Sequence, residues 1–498
     1  METIRRAGPA TLVLLGLTLV LTARLGFGVI TTGGDQVDAR HYVAAGMTLA
    51  TEGVFGYSTE PNMYREPLTS WTIAVQARLD PRLRGLTFED VDRDGPAARA
   101  VKQQNLVWAA LTLLGVGQLT LLLLGSRGRR ETLVAAAAIL VTHVAFLEWE
   151  DVTDRSLSEL AAAAILVWAS IVAVRAVDRP RLRTWLALGA MLGLLALTKA
   201  SFLYVALVFL PLLTLMRWWR ASAPAGTLLR DLGVAVVGLA LVCTPWMGRN
   251  LHQFGTFGIS DRGGLAIWFR VNYNDASAHE LRGAWVYFSP LPLRPAAARL
   301  LDVDLDDFEG DGSLRRVARF AAGDDPEGLS FYRLARRDRS EGSAAYREQG
   351  LSEWQAAHRS DRDLMSRGVA ELRADPGRFL RTFPVFLWRG TWSMLYSNLV
   401  PSILIGPLNL GGMALLMVAL ALSVVRVRPR WFATVGIAGG IVTFYALLSH
   451  FEPRQSRPAA PIMLMLCVLA ADALVRTVRA RVASKVAAGR SVSRASQD

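Results

Sequence analysis

The sequence predicts an all-α polytopic membrane protein of about ten transmembrane helices, with interfacial helices and a large, mostly helical extracytoplasmic loop. Three observations predict it. The chain of 498 residues is 52% hydrophobic, with a mean hydropathy of +0.30, too apolar for an ordinary soluble protein. Its apolar residues come in runs of about 20, the length that crosses a hydrocarbon core, rather than in amphipathic stripes. The basic residues behind the +13 formal charge sit largely in short clusters between alternate runs, a topology signal rather than a nucleic-acid patch.

Taken in order, the first run covers 10–30 after Arg5 and Arg6. Its basic start resembles a signal peptide, but no small-residue cleavage site follows, and it is read as a retained span. Further runs lie at 105–124, 131–148, 159–175, 184–198, 200–216 and 231–247, then at 403–425, 431–449 and 459–475. Arg127, Arg129 and Arg130, then Arg175, Arg179, Arg181 and Arg183, then Arg217, Arg220 and Arg230 fall in alternate connections, as do Arg426, Arg428, Arg430 and the tail from Arg476. Positive residues favour the cytoplasmic side, so both termini are expected inside.

That parity decides 379–396, FLRTFPVFLWRGTWSMLY, which has the look of a span. Counting it would put the Arg426–Arg430 cluster outside, so it is assigned as an interfacial helix, as is 67–79. The outer regions are then 31–103, 149–158, 248–382 and 450–458. The domain organisation that follows is an N-terminal membrane module (1–247), a large outer loop (248–382), a C-terminal membrane module (383–477) and a basic tail (478–498). The Ser-, Arg- and Ala-rich end after Ala483 reads as disordered. Cys243 and Cys467 both lie inside apolar runs, which excludes a disulfide framework or a cysteine metal site.

Chemistry-bearing residues gather on the outer side. Asp35, Asp38 and Tyr42 fit one helix face, and Arg65-Glu66-Pro67 follows. A bland alternative has Asp35 as an N-cap and Asp38 completing a capping-box-like arrangement. Lys199 lies between two apolar runs with almost no loop to solvate it; charge at membrane depth is costly and usually functional, the alternative being snorkelling. Arg65, Arg249 and Arg454 also fall outside, against the positive-inside bias, with Glu66 and Glu452 as structural partners in the alternative reading. Glu148, Glu150, Asp151 and Asp154 crowd the second outer loop, where clustered carboxylates suit a divalent cation or merely a solvated turn. The stretch 302–306 begins like a calcium loop, but Asp307 stands at the glycine position and Ser313 at the closing glutamate, which excludes it. No P-loop, HExxH or Cys/His cluster offers a nucleotide or zinc site.

Several of these segments together resemble the polyprenyl-phosphate-dependent membrane glycosyltransferases of the GT-C superfamily, especially the bacterial protein-mannosyltransferase-like and lipopolysaccharide-core transferase-like branch. The resemblance rests on Asp38-Ala-Arg-His-Tyr42 with Arg65-Glu66-Pro67, on Leu157-Ser158-Glu159-Leu160, and on Leu197-Thr198-Lys199. It extends to Thr244-Pro245-Trp246-Met247-Gly248-Arg249-Asn250, Glu452-Pro453-Arg454 and Pro458-Ala459-Ala460-Pro461. Gln36 and Gln455 depart from the family pattern, where an acid and a tyrosine are common.

The resemblance implies inverting transfer of a sugar from a polyprenyl-phosphate donor to a hydroxyl of an envelope glycan, lipid or protein acceptor. It places the protein in the bacterial inner membrane, with the active site extracytoplasmic. Such transfer needs a base for the acceptor proton and positive charge for the departing phosphate. Asp38 is the expected base, with Asp35 as the alternative acid. Lys199, Arg65, Arg249 and Arg454 are expected on the donor phosphate, and Tyr42, Glu66, Glu150, Asp154 and Glu159 as acceptor-binding or supporting groups. No cofactor is expected, a divalent metal being the alternative, and the partners are the lipid donor, the acceptor and the bilayer, without nucleic acid. The competing class is a transporter or flippase of lipid-linked precursors, but the sequence shows neither internal repeats nor ionisable residues gathered at the bilayer midplane. A non-catalytic assembly factor is the third class.

Overall fold

The computed structural model describes the chain except for residues 1–7, 34, 36–37, 58–59, 149–152, 222–223, 319–328, 393–398, 450 and 496–498. Among the described residues, nine helices are long and apolar enough to cross a membrane. They begin with Pro9–Gly28 and Pro96–Leu124 and end with Gly406–Val425, Pro429–Leu448 and Pro453–Ser484. A tenth apolar helix, Leu182–Thr198, has 17 residues, or about 25 Å of helix, and is followed after two residues, Lys199 and Ala200, by the helix starting at Ser201. The described residues contain no β-strand. The chain is an all-helical multi-pass membrane protein.

Two boundaries differ from the sequence reading. The helix expected to end near 247 is Ala225–Phe254, 30 residues and about 45 Å long, so its Trp246–Asn250 segment is helical rather than the start of a loop. Its Gly255 adopts φ +68°, the left-handed conformation that commonly closes a helix. The last helix runs from Ala460 to Ala495, where composition suggested disorder; Ala, Arg and Lys are strong helix formers, and nothing in the tail interrupts the preceding span.

The first region that the sequence reading puts outside, 31–103, contains two helices, Asp38–Thr51 and Pro67–Leu79, side by side. Ser70 Oγ donates to the Tyr42 carbonyl and Arg78 to that of Leu49, and a Cβ on Gly46 would lie within 3 Å of Ile73 and the Ser70 carbonyl. Those pairings advance together, so the helices run in the same direction. The intervening chain therefore has to return along the pair, which brings Arg65 and Glu66 back to the end where Asp38 begins the first helix. Pro67 at the first helical position suits this restart.

Leu182–Thr198 and Ala225–Phe254 approach backbone to backbone. A Cβ on Gly189 would fall 1.8 Å from the Ala235 carbonyl oxygen, and one on Gly238 would fall 2.2 Å from that of Leu186; small residues permit such packing where lipid supplies no hydrophobic drive. This contact fixes where Lys199 emerges.

In the large loop 248–382, which the sequence reading puts outside, Gly263–Asn274, Phe331–Glu348 and Glu353–Ala374 pack together. Asp361 caps the first of these, accepting the Gly264 and Leu265 N–H groups at 2.8 and 2.9 Å. Fully buried Arg270 ties the loop to the membrane helices through the Phe379 and Leu447 carbonyls. The helix Pro376–Thr391 has 16 residues and an internal proline, Pro384, and is not among those able to span.

Candidate active site

Asp38 is the first residue of its helix, and both its oxygens are taken by guanidiniums: Oδ1 by Arg65 and Oδ2 by Arg454. The two arginines arrive from 27 and 416 residues away. Arg454 sits in the short helix Pro453–Ser456, whose capping box joins Glu452 and Gln455, and its Nε lies 3.3 Å from Glu452 Oε2. Arg65 also contacts His41 Nδ1 at 3.2 Å. Burial raises the Asp38 carboxyl, but the charges of Arg65, Arg454 and Arg262 outweigh it and hold the group well below the usual carboxylate range. Asp38 is therefore an ion, and a weakly basic one, while both guanidiniums are in place. Burial, then the neighbouring Arg65 charge, depresses His41 to about 4, so its ring is neutral at physiological pH.

A second set of contacts surrounds this pair. Tyr42, whose hydroxyl burial pushes up to about 12, donates to Glu66 Oε2 at 3.2 Å and lies 3.5 Å from Ser158 Oγ. Glu66 Oε1 accepts the Ala200 N–H at 3.2 Å and the Ser260 hydroxyl at 3.4 Å. Lys199 donates to Glu159 Oε1 at 3.1 Å. One carboxylate, Glu66, thus joins the first loop to the break after Leu182–Thr198 and to the outer loop.

The structure brings together Asp38, Arg65, Arg454, Tyr42, Glu66, Lys199 and Glu159, from four separated stretches. It uses the remaining candidates elsewhere. Arg249 donates to the Asn62 and Phe55 carbonyls and to Asn250 Oδ1 and lies over the Trp246 ring at 4.7 Å. Asp35 accepts the Ser156 N–H at 3.0 Å. Asp154 accepts from the Thr31 N–H and hydroxyl, each at 2.6 Å, and pairs with buried Lys102 at 3.2 Å. Glu150 lies outside the described residues, as does Asp151. Among the described residues, no three His, Cys, Asp or Glu side chains converge as metal ligands.

Sequence reasoning missed the groups lining one side of Asp38. His41 stacks on Tyr57 at 4.8 Å and meets Tyr64 edge-on at 5.7 Å, and both tyrosines touch Trp354 of the outer loop. Arg262 and Arg339 lie 4.9 and 5.4 Å from the Tyr64 ring centroid. His41 was discoverable at one helical turn from Asp38. Arg262, Arg339 and Trp354 carry no periodic or motif signal.

No protein-family model matches the chain, and no curated protein matches it. Among solved structures it is similar to the archaeal oligosaccharyltransferase AglB from Archaeoglobus fulgidus in complex with an inhibitory peptide and a dolichol-phosphate, with 14% identity, 96% of this chain, 52% of that chain and TM-score 0.48. It is also similar to ArnT from Cupriavidus metallidurans bound to undecaprenyl phosphate, with 13% identity, 93% of this chain, 78% of that chain and TM-score 0.37. The chain spans about half the length of the oligosaccharyltransferase.

Proposed function

We propose that the protein is an inverting glycosyltransferase that moves a sugar from a polyprenyl-phosphate donor to a hydroxyl acceptor on the extracytoplasmic side of the membrane, with both termini cytoplasmic. The observation that carries this reading is the Asp38 site, where guanidiniums outnumber the carboxylate they share beside apolar spans. Arg65 Nε is buried with no acceptor among the described residues, a donor left over for an anionic oxygen. In the reaction, the acceptor hydroxyl gives its proton to Asp38 while its oxygen bonds to the anomeric carbon. The carbon–oxygen bond to phosphate breaks, and its electron pair stays on the phosphate, where Arg65, Arg454 and Lys199 offset the charge. The lipid tail remains in the bilayer. The acceptor class is an envelope glycan, lipid or protein.

The test is turnover of a panel of radiolabelled polyprenyl-phosphate sugars by wild type and Asp38→Asn, with crude envelope acceptors. Release of polyprenyl phosphate from one donor by wild type alone supports the reading. No turnover of any donor shifts the assignment to translocation of lipid-linked precursors, to be measured in vesicles.

A further inference from the structure

A base with a guanidinium on each of its two oxygens keeps further lone pairs, but the two cations lower its basicity and crowd the approach of an acceptor hydroxyl. Proton transfer to Asp38 is therefore favoured when one guanidinium leaves. The two are not equivalent: the Arg65 side chain is 5% exposed, whereas that of Arg454 is 35% exposed. Arg65 is wedged between the Tyr42 and Tyr64 rings at 5.3 and 5.2 Å and also held by His41. Arg454 has a second carboxylate beside it, Glu452, which keeps its charge compensated away from Asp38. The backbone carrying Arg454 is anchored: Phe451 is fully buried and packs against Gly390, whose carbonyl accepts the Ser456 hydroxyl at 2.6 Å. Release is thus a side-chain rotation within a fixed frame.

Resting on the function proposed above, we infer that Arg454 is a donor-operated latch on Asp38: in the empty protein it masks the carboxylate, and a lipid phosphate draws its guanidinium away and exposes the base. Arg65 stays on Oδ1 as the positioning group. The other charged groups facing Asp38 are His41, neutral on the same helix, and Arg262 from the outer loop, neither hydrogen-bonded to the carboxylate. The consequence is economy of reaction. Without a phosphate in place, Asp38 has little basicity with which to activate water or a stray hydroxyl, so the base is switched on only when the donor is present.

The experiment follows Asp38 directly. Full-length protein in lipid nanodiscs is labelled with a water-soluble carbodiimide and glycine methyl ester, which modify protonated carboxyls, and Asp38 modification is quantified by peptide mass spectrometry. Undecaprenyl phosphate is the probe and undecaprenol the phosphate-free control, with lipid binding read by native mass spectrometry. Wild type is expected to label about tenfold faster with undecaprenyl phosphate, a shift of about one pKa unit, and not with undecaprenol. Arg454→Gln is expected to label at the faster rate with no lipid added and to gain little more; Arg454→Lys is expected to regain part of the response.

If wild type binds undecaprenyl phosphate and Asp38 labelling does not change, the latch is overturned. It is also overturned if Arg454→Gln still accelerates as wild type does, since that response would come from phosphate charge alone. Failure to bind the lipid phosphate overturns both latch and transferase. A labelling response in a protein that turns over no donor sugar keeps the latch and removes the transfer.

Discussion

Two acid-centred knots tie the loops between the spans, and they use the same residue types differently. In one, Asp35 and Asp154 stitch the first outer loop to the second: Asp154 meets one buried cation, Lys102, and its remaining partner is Thr31. Lys102 and Asp154 are matched one to one, and Asp35 is held by the Ser156 N–H. In the other, a single carboxylate, Asp38, is shared by Arg65 and Arg454, with Arg262 acting on it from further off. Counting Glu452 beside Arg454, three guanidiniums face two carboxylates, and Arg454 is partly exposed. A matched, enclosed pair fixes the fold, whereas a surplus of guanidinium at a carboxylate is a state that an incoming anion can complete. On the proposed function, Asp38 rather than Asp35 is the base.

The comparison breaks most directly at those two aspartates. Asp38→Asn is expected to lower kcat for sugar transfer by about 10²–10⁴-fold, the usual contribution of a general base. Asp35→Asn should retain turnover within about tenfold, because only a hydrogen bond to Ser156 is weakened. Equal losses in a side-by-side donor-turnover assay would remove the distinction between the knots.

Next in size is Lys199, whose ammonium is held by Glu159 at 3.1 Å. A charge-assisted contact to phosphate contributes about 1.5–3 kcal/mol, so Lys199→Ala should weaken undecaprenyl-phosphate binding by roughly ten- to a hundredfold. Unchanged affinity would make Lys199–Glu159 a matched pair like Lys102–Asp154. The converse holds for Lys102→Met, which leaves Asp154 without its cation. It is expected to destabilise the protein by on the order of 2 kcal/mol, seen as a lower unfolding temperature in detergent, with turnover per folded molecule unchanged.

The smallest effect is on pH. His41 is depressed to about 4 and Asp38 lies lower still, so both are already deprotonated at pH 6 in the free protein. Their protonation, and any effect of it, should emerge only as pH falls below about 5. The kcat/KM profile, which reports free-enzyme groups, should vary less than about twofold between pH 6 and 8 on their account. A limb near 6.5 that disappears in His41→Phe would show that the imidazole titrates at its ordinary value and that burial and the Arg65 charge act on it less than the geometry indicates.

Much of the site was legible before the fold. Asp38, Tyr42, Arg65 and Glu66 lie within one loop, and Lys199 and Arg454 stood out as cations on the side that positive charge avoids. The sequence could not distinguish Arg454 paired with Glu452 from Arg454 on Asp38; the structure has both. Nor did it reveal that Arg249 donates to loop carbonyls, since a carbonyl partner leaves no mark on side-chain identity. Arg262, Arg339 and Trp354 were silent because an aromatic or arginine in a polar loop has no period to betray its direction, whereas His41 stood one helical turn from Asp38 and could have been read.

The spans and their order were determined by the sequence alone, because in lipid each helix must satisfy its own backbone and hide its own polar groups, which makes spanning a property of about 20 consecutive residues. The helix at 67–79 was equally local, opened by Pro67. The pairing of charges was decided only by tertiary structure. Arg65 and Arg454 meet one carboxylate from 27 and 416 residues away because two helices run in the same direction and the last span starts beside them. Coulomb attraction specifies sign and distance but no sequence separation, so the packing of the helices chose the partners.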